Sequence, residues 1–168
     1  MLQRVEEVAP AVVPTFTSFI QICTLTLWNK TTVEALVAVL SDAETPSSAK
    51  RTAHVLLKTL ALSNPKLFKS SLSTLADWII SESASISDNR SREDIETVED
   101  VLKALARLPD LDLSGKQGKD FVEALKKFVL EGESERQGRR ATAVLLKLKR
   151  SHLYAEELVE VPLYHFGD

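Results

Sequence analysis

Ala49-Lys50-Arg51-Thr52-Ala53-His54-Val55-Leu56-Leu57-Lys58 returns as Gly138-Arg139-Arg140-Ala141-Thr142-Ala143-Val144-Leu145-Leu146-Lys147, 89 positions later. The stretch ahead of each copy obeys the same shift, Val33-Glu34-Ala35-Leu36 coming back as Val122-Glu123-Ala124-Leu125. Apolar residues in both copies are spaced three and four apart, which is the period of a helix with one buried face and not that of a strand. Between the copies, Val101-Leu102-Lys103-Ala104-Leu105 starts 46 positions after Val55 and 43 before Val144. Both intervals fall within the roughly 40–47 residues of a repeat built from a pair of helices. One such pair cannot bury its apolar stripe alone, so the pattern predicts an all-α solenoid in which paired antiparallel helices stack on their neighbours.

Punctuation divides the chain accordingly. Pro14 suits the first turn of a helix reaching Trp28, and Thr31 with Glu34 reads as a capping box for the next. Thr45 and Pro46 read as N-cap and first-turn proline of a helix that Asn64-Pro65 stops. Ser91 with Asp94 caps a helix that Pro109 ends, and Gly132 is expected to close the helix Lys119–Leu130 in a left-handed conformation. Ser134 opens the last full helix. The polar run from Glu82 to Arg90 is expected to be a loop without anchors of its own. The result is one segment, 1–168, with approximate repeats at 11–64, 65–109 and 117–150 and a C-terminal helix and tail at 151–168. Apolar residues of that tail, such as Leu153 and Leu158, and of the N-terminal end, such as Val5 and Val8, are expected to await a neighbouring helix.

Composition agrees with a globular chain: 44% of the 168 residues are hydrophobic and 27% charged, enough for one continuous core. Charges of both signs are interspersed and the net charge is −3, so no global field draws the chain to nucleic acid or membrane. Cys23 is the single cysteine, which excludes an intrachain disulfide and a cysteine-built zinc site and suits a reducing compartment. The apolar stretch Ala11–Trp28 is interrupted by threonines, Gln21 and Pro14 and lacks a basic flank, so it reads as a buried helix and not as a membrane span or signal peptide.

Catalytic chemistry has little to stand on. His54, His152 and His165 are the only histidines, and no HExxH, CxxC, GxSxG or phosphate-loop pattern occurs. No catalytic residue, metal ligand or cofactor is assigned; Cys23, Trp28 and Trp78 read as packing residues, and His54 as a structural or solvent-edge residue. The basic residues of the last repeat are different. Arg136, Arg139, Lys147, Lys149 and Arg150 form a candidate strip for an acidic peptide or for phosphates. Arg140 and its counterpart Arg51, with Asp42 ahead of Arg51, fit a structural role instead.

That role is the basis of a resemblance. An acidic residue after the first helix and a basic one early in the second resemble the HEAT-repeat consensus, where they join successive repeats. More specifically, Ala49 to Leu60 followed by Asn64-Pro65-Lys66-Leu67-Phe68-Lys69 resembles a passage in fungal HEAT-repeat regulators of sister-chromatid cohesion, whose defect lets sister chromatids dissociate precociously. The likeness continues in order through Val101–Leu105, Phe121–Leu130 and Gly138–Leu146, from about Val8 to Leu158. It implies a non-enzymatic protein-binding scaffold of the nucleus and chromatin, a fragment of a longer cohesin-associated regulator. Its implied partners are the kleisin subunit of cohesin and the release and acetylation factors. No binding residue carries over from the family. A HEAT-fold nucleic-acid binder using the basic strip, or a generic HEAT or armadillo adaptor, is the alternative; DNA contact would then fall on Arg136 to Arg150, and no membrane partner is expected.

Overall fold

The computed structural model describes residues 30–149, without the side chain of Lys149. Six α-helices and one 3-10 segment occur among them, with no strand: α1 Lys30–Ser41, α2 Ser47–Ser63, the 3-10 segment Pro65–Ser71, α3 Leu72–Ala84, α4 Arg92–Arg107, α5 Gly115–Glu131 and α6 Glu135–Lys149. They form two rows. In one, α1 packs on α3 and α3 on α5; in the other, α2 packs on α4 and α4 on α6. The rows are joined by α1 against α2, by α5 against α6, and by the 3-10 segment, which touches α1, α2, α3 and α4. This is the all-α, HEAT-like solenoid of paired helices that the periodicity predicts. The copies of the Val-Leu-Leu-Lys stretch lie on α2 and α6, the outer members of one row.

The amphipathic pattern explains the stacking. On α4, Val98, Val101, Leu102 and Leu105 are fully buried while Arg92 and Glu93 are exposed, so the helix has one face to cover and buries it between its neighbours. Phe68, Phe121 and Phe128 are the largest fully buried side chains, within one continuous core from Val33 to Leu148. Each side chain of this size contributes about 1.5–3 kcal/mol by leaving water. Polar side-chain contacts between successive helices of a row join residues 35 to 44 positions apart, the spacing of one repeat.

The helix ends follow local chemistry, with several departures from the sequence reading. Ser91 caps α4 by accepting from the Asp94 N–H at 3.1 Å, and Ser134 caps α6 by accepting from the Gln137 N–H at 3.0 Å. Leu108 is extended, at ψ 146°, because the ring of Pro109 forbids it helical geometry. Thr45 does not cap α2; Pro46 occupies the N-cap and makes no side-chain bond. The Thr45 hydroxyl donates instead to Asp42 at 2.9 Å, and Asp42 also accepts from the Glu44 N–H at 3.0 Å, closing the α1–α2 turn on itself. Thr31 lies inside α1, and Glu34 pairs with Lys30 at 3.6 Å and receives Thr74 from α3 at 3.4 Å, so the two do not form the expected box.

Two glycines exchange roles. Gly132 is not left-handed, with φ −58° and ψ 152°. Its lack of a side chain matters for closeness, since a Cβ there would sit 2.2 Å from the Phe128 carbonyl oxygen. The left-handed glycine is Gly115, φ 62°, at the start of α5, which begins four residues earlier than the linker reading allowed. The predicted helix Pro14–Trp28, Cys23, Arg150 and the tail lie outside the described residues.

Candidate functional site

Residue types differ systematically along the α2–α4–α6 row. Helix α2 holds Lys50, Arg51 and Lys58 and no carboxylate. Helix α4 is acidic over its first half, with Glu93, Asp94, Glu96, Glu99 and Asp100. Helix α6 is basic again, with Arg136, Arg139, Arg140 and Lys147 against Glu135. Stacking these helices sets an acidic member between two basic ones, and the facing side chains pair.

At the α2–α4 junction, Arg51 Nε lies 3.6 Å from Glu93 and Lys58 Nζ 3.0 Å from Glu96, which also takes Arg92 at 2.6 Å. These hydrogen bonds with Lys58 and Arg92 lower the Glu96 pKa. Arg51 and Glu93 are exposed, so their contact adds little stability. The centre of the junction is His54, only 7% exposed. Its Nε2 meets Asp94 Oδ1 at 2.9 Å and its Nδ1 meets Thr97 Oγ1 at 2.7 Å. Burial pushes the His54 pKa down, against the opposing pull of Asp94 and Glu93. The ring is therefore neutral near neutral pH, with Nε2–H donating to Asp94. Thr97 then divides its single hydroxyl hydrogen between Nδ1 and the Glu93 carbonyl oxygen, 2.8 Å away.

Asp94, His54 and Thr97 have the order of a carboxylate–imidazole–hydroxyl relay. Thr97 is fully buried, however, and His54 nearly so, so no substrate carbonyl can approach the hydroxyl. The trio ties α2 to α4. Among the described residues no group of three or more potential ligands could hold a metal ion, and no helix is long and apolar enough to cross a membrane.

The α4–α6 junction uses the same device. Ser134 donates to Glu99 at 2.5 Å, Arg136 lies 3.8 Å from Glu99, and Arg140 Nη1 meets Asp100 at 3.1 Å with both side chains largely buried. Lys147 donates to the Leu108 carbonyl. In the opposite row the donors are neutral: Gln117 of α5 donates to Asp77 and to the Ser73 carbonyl of α3 at 2.8 and 2.9 Å.

A buried cation closes the middle repeat. Arg90, whose side chain is 7% exposed, holds Glu133 through Nη2 at 2.7 Å and also meets Glu82. Burial works against its charge, but the bonds to Glu133 and Glu82 outweigh this and raise its pKa. Burial raises the Glu82 pKa, partly offset by Arg90. The 82–90 stretch, expected to be an unanchored loop, is thus pinned at both ends. Its first residues belong to α3, and Ser83 is buried.

The structure sorts the sequence-predicted residues. Arg51 and Arg140 both bridge neighbouring helices, to carboxylates of α4. Asp42 faces its own turn and does not meet Arg51. In the predicted strip, Arg136 contacts Glu99, Arg139 meets Glu135 at 2.9 Å, and Lys147 is bound to a carbonyl. The Lys149 side chain and Arg150 lie outside the described residues. Sequence reading missed His54, Thr97 and Arg90 as joints; the available signal was the acidic cluster Glu93–Asp100, at one repeat spacing from both basic helices.

Comparison with known proteins gives one match: a family model described as "Sister chromatid cohesion protein PDS5 protein" fits residues 1–166. No curated protein and no solved structure matches.

Proposed function

Since the chain belongs to the PDS5 family of sister chromatid cohesion proteins, we propose that it acts as a protein-binding HEAT array within a cohesin regulator on nuclear chromatin, with the kleisin subunit of cohesin as its partner. Release and acetylation factors would act at the same array. The family match along nearly the whole chain carries the reading. The paired junctions support it, because a surface that spans three repeats can bind an extended partner only if the repeats keep a fixed relation; His54 and Arg140 each bridge separate helices, and Arg90 ties the α3–α4 connection to the α5–α6 connection.

The test is retention of purified kleisin on the immobilised chain. Retention that survives moderate salt and is lost when the α2–α4 junction is broken by the pair His54→Ala and Lys58→Ala supports the proposal. A chain that folds, as judged by circular dichroism, yet retains no kleisin overturns it.

A further inference from the structure

Every carboxylate of α4 is matched within its row: Glu93 by Arg51, Asp94 by His54, Glu96 by Lys58 and Arg92, Glu99 by Arg136, Asp100 by Arg140. Lys103 and Arg107, on the last turns of the same helix, have no ion-pair partner among the described residues, while Lys147 spends its ammonium on the neutral carbonyl of Leu108. Helical spacing sets Lys103 and Arg107 on the stripe already carrying Glu96 and Asp100, and the Lys147–Leu108 bond brings the third cation to the same end.

The C-terminal dipole of α4 accounts for part of this arrangement. It amounts to about half a negative charge, far from enough to balance three cations, and it does not explain Lys103, which precedes the last turn. Nor does it explain Leu62, 58% exposed on α2 one turn beyond Lys58. Since α2 lies against α4 and Lys58 reaches Glu96, Leu62 stands one helical turn past that contact, toward the end of the row that carries the unmatched cations.

We infer that the C-terminal edge of the α2–α4–α6 row, at Leu62, Lys103, Arg107 and Lys147, is a docking surface for an acidic peptide segment of a protein partner, with an apolar residue among its carboxylates. Charge complementarity selects the acidic residues, and Leu62 selects the apolar one. Duplex DNA fits less well, because it offers nothing to Leu62 and because Arg51, Lys58, Arg136, Arg139 and Arg140 of the row are committed to carboxylates. The inference rests on the protein-binding reading above and names the chemistry of the ligand.

The test is fluorescence anisotropy of a labelled synthetic peptide of Glu, Asp and Leu, titrated with the whole chain. A twin with Lys in place of the acidic residues and a DNA duplex serve as alternative probes. The acidic peptide should bind saturably and weaken with salt. Lys103→Glu with Arg107→Glu should loosen it about tenfold or more, Leu62→Ser should loosen it separately, and Lys119→Glu on α5 should leave it unchanged. Should the double reversal disturb the melting curve, Lys103→Gln with Arg107→Gln gives the same comparison without introducing carboxylates. Absence of saturable binding, undiminished binding by a folded double variant, or tighter binding of the DNA or the basic twin overturns the inference. Kleisin retention by a chain that ignores the acidic peptide would remove this surface alone; failure to retain kleisin would strike the broader function.

Discussion

The guanidinium of Arg90 grips Glu133 across 43 residues of sequence, Nη2 to Oε1 at 2.7 Å and Nε to Oε2 at 3.0 Å, with both side chains under a tenth exposed. A planar fork on a carboxylate is a geometry that lysine cannot reproduce. Removing the fork leaves Glu133 and Glu82 as buried charges without their cation. Arg90→Ala should cost about 3–5 kcal/mol, read as a lower urea midpoint, and Arg90→Lys should recover only part of it. A loss under about 1 kcal/mol would mean that water relieves the carboxylates.

His54 makes stability depend on pH with a definite sign. Its folded pKa lies below the ordinary 6.5, so between the two values the unfolded chain binds more protons and stability rises with pH. The contribution is complete above about 6.5 and disappears as the pH falls through the folded value. Thermal melts between about pH 5 and 7 should show this slope, and His54→Gln should flatten it. An identical slope in the variant would assign the dependence to other groups.

Arg140 and Asp100 join α4 to α6 as a nearly buried pair. A double-mutant cycle with Arg140→Met and Asp100→Asn should give a coupling of about 0.5–3 kcal/mol. Additive losses would show that the two side chains act separately despite the 3.1 Å contact.

Gly132→Ala tests closeness against backbone preference. Its φ is one that alanine adopts freely, yet the added methyl would sit 2.2 Å from the Phe128 carbonyl oxygen. The substitution should cost about 1–3 kcal/mol by overpacking. Gly115→Ala meets no atom within 4 Å but must hold φ 62°, at about 1–2 kcal/mol. If Gly132→Ala melts with the parent chain, α5 and α6 separate more easily than their packing implies.

What the sequence disclosed and what it concealed follow from the same physics. Val33, Leu56, Leu57, Val122, Val144 and Leu145 keep the helical period because a stripe must be apolar to be buried, so the repeat and the all-α fold were legible. Polar joints follow no such rule. The middle repeat lacks the Lys50-Arg51 pair, which reads in isolation as a departure; in the stack, α4 supplies the carboxylates that the basic helices on either side require. Arg90 lies in a run too polar to suggest burial and becomes intelligible only when Glu133 is beside it. Asp42 serves its own turn and not Arg51; a carboxylate after a helix can do either, and spacing does not distinguish the two.

The separation of 35 to 44 residues between polar partners in a row has a mechanical consequence. Those bonds hold each helix to its immediate neighbour, so a pull along the array does not load them together as it would the strands of a closed barrel. Tension would be released one junction at a time, in order of their strength. The segment would therefore yield to a load in steps and recover in steps, as a spring of separate coils does.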